Sequence, residues 1–274
     1  MTNHAIYQPK GKAGEYAPWA CNFVVGCPND CQYCYCKAYP LGKVWSTEQR
    51  LKKCFKDEKH ALQVFESELS FNIVELQKHG LFFTFTSDPF AERFRDLHSA
   101  AWGIAVHKYQ VPVVVLTKLA GWVDDFLWWM NHSNSDNASL EWRKEVCFGF
   151  TLTGHDELEP GASNNAERIE AMRKLKDNGF RTFASIEPII DFESSLDMIK
   201  QTIGFCDLYK VGTESGNKYD RRKAFEFISD AHFLTYQYDN KVYFKDSILK
   251  AAFIERRVAN NLQNCVERGF NMFR

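Results

Sequence analysis

Cys27, Cys31 and Cys34 are spaced C-x3-C-x2-C, which brings three thiols out of one short loop. Thiolates are soft donors that select zinc or iron–sulfur clusters over hard cations. A cubane [4Fe–4S] cluster held by three protein thiolates leaves one iron open to a small molecule, whereas structural zinc wants a fourth ligand. Cys36 or Cys21 could supply that ligand. Spacing alone leaves two chemistries open: a cluster with a free position, and a zinc-stabilised binding protein in which the loop is a structural knuckle. Cys54, Cys147, Cys206 and Cys265 are scattered singly and form no second C-x2-C pair, so buried free thiols are expected there.

A loop of this kind needs a rigid support. The apolar run at 22–26 leads directly into Cys27 and reads as a strand. Similar runs occur at 81–86, 111–117, 146–152, 181–186 and 208–212, with 241–245 as a candidate seventh, each the length of a strand buried on both faces. Between them lie amphipathic stretches. Residues 61–78 place Leu62, Phe65, Leu69, Ile73 and Leu76 three or four apart, and 165–178 do the same with Ile169, Met172 and Leu175. The alternation predicts an α/β fold, a partial (β/α)6 TIM-like barrel of parallel strands over 1–240, with a C-terminal extension at 241–274 packed on it.

Polar residues follow the runs: Cys27, Ser87-Asp88-Pro89, Lys118, Thr153, Glu187-Pro188 and Glu214-Ser215. In a parallel barrel the C-terminal strand ends open onto one face, where function sits. Segments 131–141 and 154–165 read as surface loops.

At 274 residues the chain can bury about three quarters of its unfolded surface. Its 34 Lys and Arg balance 35 Asp and Glu, which excludes bulk attraction to phosphate or anionic lipid. Contact with nucleic acid would need a local basic face, such as one around Arg221-Arg222-Lys223 and Arg256-Arg257. Nine cysteines, an odd number crowded near the N-terminus with no apolar leader at 1–10, point to a reducing cytoplasm and a metal site rather than disulfides. The longest apolar runs fall short of the about 18 residues of a membrane span, so no membrane association is expected. The eight histidines show no ligand spacing.

The cysteine loop, the aromatic residues Tyr33 and Tyr35 around its third cysteine, and the βα units behind it resemble the radical S-adenosylmethionine (SAM) superfamily. Within it, Thr86-Ser87-Asp88-Pro89, Lys118, Ser185-Ile-Glu-Pro-Ile189, Val211-Gly-Thr-Glu-Ser-Gly216 and Val242-Tyr-Phe-Lys-Asp246 resemble the spore photoproduct lyase-like group and its phage-associated relatives. The resemblance implies that Cys27, Cys31 and Cys34 hold a [4Fe–4S] cluster and that SAM chelates the fourth iron. It implies reductive cleavage of SAM to a 5′-deoxyadenosyl radical that abstracts hydrogen from substrate, with a reductant such as flavodoxin or ferredoxin as partner.

Tyr33 and Tyr35 would pack beside cluster and adenine, Ser87 and Asp88 would meet the SAM amino group, Lys118 its carboxylate, Thr151 the ribose or carboxylate, and Glu187 SAM or substrate. The substrate classes implied are a nucleotide or nucleic acid, or a protein encoded nearby. One departure stands out. Photoproduct lyases carry a hydrogen-donating cysteine just before this Thr-Ser-Asp, and here the residue is Phe85. Photoproduct repair itself is therefore not expected.

Overall fold

The computed structural model describes residues 4–38, 41–132, 140–214 and 216–274. Ser215 and most of the loop expected at 131–141 lie outside the described residues. Ten strands form. Eight build one open sheet in the order β1 (Ile6–Tyr7), β2 (Ala20–Cys21), β5 (Leu81–Phe83), β6 (Val113–Thr117), β7 (Val146–Thr151), β8 (Arg181–Ile189), β9 (Leu208–Thr213) and β10 (Lys241–Phe244). Every pairing from β2 onward is parallel, and β1 joins β2 antiparallel. The expected six-unit partial barrel thus has seven parallel strands and an antiparallel edge, without closing. The candidate seventh strand pairs with β9 through Lys241 and Leu208.

The run at 22–26 behaves differently from expectation. The chain leaves the main sheet at Cys21, and β3 (Val24–Val25) pairs with β4 (Arg50–Leu51) in a separate two-stranded sheet. Asn22 marks the departure: its side chain donates to Tyr7 Oη at 2.6 Å and accepts from the Phe85 backbone at 2.8 Å. An apolar run says that a segment pairs, but not with which neighbour.

Helices connect the strands. The amphipathic stretch at 61–78 forms two helices, α1 (Glu58–Phe71) and α2 (Ile73–His79), with Asn72 between them. The chain continues through α3 (Arg95–Gly103), α4 (Val123–His132), α5 (Asn165–Asp177), α6 (Phe192–Thr202), α7 (Arg221–Gln237), α8 (Asp246–Ala252) and α9 (Arg256–Asn260). Helix α5 opens on a capping box, in which Asn164 and Glu167 satisfy each other's backbone amides.

The strands alternate, apart from an irregularity in β8 between Ile186 and Ile189. Leu81 and Phe83 on β5, and Val113 and Val115 on β6, pack in the core between sheet and helices. Phe82, Cys147, Phe183 and Leu208 line the concave interior, with Val114 and Leu116 packed against them. The interior is therefore built by every second residue of β5 to β9, and the same period carries Thr151, Ser185 and Lys210 onto that face. No helix among the described residues is long and apolar enough to cross a membrane.

Candidate metal and cofactor site

The cysteine loop is held at the C-terminal edge of the sheet by one carboxylate. Asp88 is buried at 4% exposure, and both its oxygens are filled. Oδ2 accepts from Asn29 Nδ2 and from the Lys118 backbone, each at 2.8 Å; Oδ1 accepts from Thr117 Oγ1 at 2.7 Å and the Phe90 backbone at 3.0 Å. Asp88 thus ties the loop to the ends of β5 and β6. Beside it, Ser87 Oγ accepts from Gln49 Nε2 at 2.6 Å.

The segment expected as a surface loop at 154–165 packs against the cysteine loop instead. Leu158 O accepts from the Gln32 backbone at 2.9 Å, and Asn29 O from that of Gly161 at 3.1 Å. A Cβ at Gly161 would stand 2.0 Å from Pro28 O, so the two loops meet backbone to backbone and only glycine fits. Glu159 goes inside at 2% exposure because two donors satisfy it: Tyr33 Oη at Oε1 and Arg168 Nη2 at Oε2. Arg168, whose side chain is wholly buried, also donates to Thr151 O at 2.6 Å and Ser163 O at 2.8 Å.

Three expected residues are therefore brought together: Tyr33 is linked through Glu159 and Arg168 to Thr151, and Lys118 has its ammonium 5.7 Å from the Tyr33 ring centroid. Burial works against the Lys118 charge, but the neighbouring Cys31 sulfur and Glu159 carboxylate outweigh it and hold its pKa above the ordinary lysine value. Among the described residues its ammonium makes no ion pair or hydrogen bond. Tyr35 reaches the other side of the site, donating from Oη to Phe85 O, which also accepts from Cys36 Sγ at 3.6 Å.

Glu187 lies across the strand ends from the cysteines. Lys245 Nζ is 2.8 Å from each of its oxygens, and Tyr16 Oη donates to Oε2 at 2.7 Å while sharing a 2.5 Å hydrogen bond with Ser185 Oγ. The Tyr16 ring meets Phe85 edge-on at 6.1 Å, and Phe85 stacks on Phe82 at 4.5 Å. Lys210 sits under Tyr16, donating to its carbonyl at 2.5 Å; burial and the Lys245 charge pull its pKa down to about 8.

The thiols differ in their surroundings. Burial pushes Cys27 up to about 12, against a hydrogen bond from the Asn29 backbone. Cys34 is lowered to about 6, chiefly by a hydrogen bond from the Cys36 side chain. Backbone amides aimed at Cys27 and Cys34 suit thiolate ligands, because hydrogen bonds to sulfur stabilise its charge. Among the described residues, no three Cys, His, Asp or Glu side chains converge on a point that one metal ion could fill. Three thiols from one short loop are the donor chemistry of a [4Fe–4S] cluster that keeps one iron open. Cys21 packs in the core between sheet and helices.

Glu159, Arg168, Asn29, Gln49, Tyr16 and Lys245 were not expected as site residues. Only Lys245, the last residue of the candidate strand at 241–245, carried a positional signal, because it closes its run much as Lys118 follows one.

The sequence matches no family model and no curated protein. Its fold has solved counterparts. Spore photoproduct lyase complexed with dinucleoside spore photoproduct superposes with a TM-score of 0.61 at 15% identity, covering 86% of this chain and 78% of that one. A mutant of the same lyase with bound AdoMet and dinucleoside spore photoproduct gives 0.58 at 15% identity over 86% and 78%. The chain thus has the α/β partial-barrel fold of spore photoproduct lyase. At this identity the likeness is one of fold, and chemistry has to be argued from the site.

Proposed function

We propose that the chain is a radical SAM enzyme in which Cys27, Cys31 and Cys34 hold a [4Fe–4S] cluster and SAM binds beside it. The observation that carries this reading is the pairing of three thiols on one strand-end loop with the uncommitted ammonium of Lys118. The fold shared with a lyase solved with bound AdoMet supports it. When bound, cluster and SAM together supply a 5′-deoxyadenosyl radical by one-electron reductive cleavage of the sulfonium.

The chain's own residues bind, orient and shield. Lys118 offers a point charge to the SAM carboxylate. Ser87 offers a hydroxyl beyond the end of β5 and Thr151 one at the end of β7, and Tyr33 and Tyr35 flank the third cysteine. Asp88, with all its bonds made internally, fixes the loop against β5 and β6. Glu187, Lys245 and Tyr16 form the opposite wall, and the Phe85 and Phe82 rings exclude water between the two halves.

A nucleotide or nucleic acid is the substrate class to try first, because the fold counterpart is solved with a dinucleoside photoproduct. With Phe85 in place of the lyase cysteine, the repair reaction itself is not part of this reading. A small reductant such as flavodoxin or ferredoxin, and a reducing cytoplasm that keeps nine unpaired cysteines as thiols, complete it.

Anaerobic reconstitution tests the proposal. Uptake of iron and sulfide with broad visible absorbance, followed by 5′-deoxyadenosine after reduction with SAM, is expected. One bound zinc with no iron would instead establish the structural knuckle.

A further inference from the structure

Glu159 is the carboxylate nearest in function to Lys118, yet the two do not pair. Its Oε1 is taken by Tyr33 Oη and its Oε2 by Arg168 Nη2. Arg168 cannot move to release it, because its fork is also bonded to the carbonyls of Thr151 and Ser163 and its side chain is wholly buried. Lys118 meanwhile rests over the ring of the same Tyr33 at 5.7 Å. A lysine beside a buried carboxylate ordinarily closes an ion pair, since its four-carbon stem is flexible and its three donors rotate freely.

We propose that Tyr33 and Arg168, by filling both oxygens of Glu159, keep the Lys118 ammonium available for the carboxylate of SAM. Glu159 is a positioning residue in this arrangement: through its bond to the hydroxyl it fixes the Tyr33 ring under Lys118. The proposal rests on the radical SAM reading. It predicts a competition. Without the Tyr33 hydroxyl, Oε1 loses its only donor, Lys118 turns to it, and the bound ion pair competes with the ligand carboxylate.

The test uses reconstituted holoprotein and equilibrium dialysis with two probes, SAM and decarboxylated SAM, normalised to iron content. Tyr33→Phe is expected to weaken SAM about tenfold, the size of one partly exposed charge pair, and to leave decarboxylated SAM unchanged. Tyr33→Phe combined with Glu159→Gln is expected to restore SAM affinity, because a neutral amide cannot hold Lys118 as an ion. Glu159→Gln alone supplies a second arm: on that background, adding Tyr33→Phe has no further effect.

Equal weakening of both probes, or weakening that persists in the double variant, would show that Tyr33 only packs the loop and would overturn the proposal, as would unchanged SAM affinity in Tyr33→Phe. Failure of the broader reading looks different: the wild-type protein then takes up no iron or binds no SAM. If wild type binds SAM and Lys118→Met binds it equally well, the role of Lys118 falls while the enzyme reading stands.

Discussion

Lys245 and Glu187 form an ion pair directly over Gly212, where the missing side chain leaves the space they need. A Cβ there would stand 2.9 Å from Lys245 Cδ and 3.0 Å from Glu187 Oε1. The Lys245 side chain is 3% exposed and that of Glu187 18%. Breaking such a pair costs more than the pair contributes, because the partner stays desolvated without compensation. Lys245→Met should therefore lower unfolding stability by about 3 kcal/mol, and Glu187→Gln added to it should recover part of the loss. Urea unfolding measures both. A single variant within about 0.5 kcal/mol of wild type would mean that Tyr16 and solvent already satisfy Glu187.

Asp88 gives a second prediction. Asp88→Ala leaves Asn29 Nδ2, Thr117 Oγ1 and two backbone amides without their acceptor. Each unsatisfied buried donor costs about 1–3 kcal/mol, so the loop should detach from β5 and β6. Iron uptake on reconstitution should fall to a small fraction of wild type while far-UV circular dichroism keeps the helical signal. Full iron uptake in Asp88→Ala would show that the cysteine loop holds its shape without this anchor.

The strands on either side of these residues were legible because apolar runs of strand length, alternating with amphipathic stretches, admit few architectures. The sheet accordingly contains 113–117, 146–151 and 208–213 close to where the runs lie. The three cysteines stood out as candidate ligands for a different reason, since that chemistry is suggested by local spacing. Glu159 and Arg168 were not. Tyr33 and Glu159 are 126 residues apart, and the segment around Glu159 has the Gly and Pro content of an exposed turn. Nothing local distinguishes a loop that solvent covers from one that another loop covers. Tyr16 was invisible likewise, lying in a stretch with neither helical nor strand period although its hydroxyl spans to β8.

Cys36 separates cluster from zinc. Its thiol is buried and donates to the Phe85 carbonyl at 3.6 Å, and it adjoins Cys34. As a bystander it can be lost, whereas a zinc knuckle would need it because Cys21 is in the core between sheet and helices. Cys36→Ala should keep wild-type iron and sulfide content after anaerobic reconstitution. Cys27→Ala, Cys31→Ala and Cys34→Ala should each lose most of it. Metal loss in Cys36→Ala equal to that in the other three would make it a ligand.

His155 supplies a pH dependence. It links Glu157 at 2.8 Å through Nδ1 and Asp191 at 2.5 Å through Nε2, on the loop that packs over the cysteines; Ser194 Oγ lies 3.2 Å from Nε2. Its partial burial disfavours the charge, but the hydrogen bonds to the two carboxylates outweigh this and raise its pKa above the ordinary histidine value. A raised folded-state pKa means that the folded protein binds the proton more tightly than the unfolded chain. The stabilisation is then complete below the unfolded value of about 6.5 and disappears as pH rises through the folded value. Both carboxylates are substantially exposed, so the effect is modest. His155→Gln should melt about 1–2 °C below wild type at acid pH near 5.5 and converge with it in alkaline buffer. Thermal scans across that range check the sign: a gap that widens as pH rises would mean that His155 is held neutral by its surroundings rather than charged by its two carboxylates.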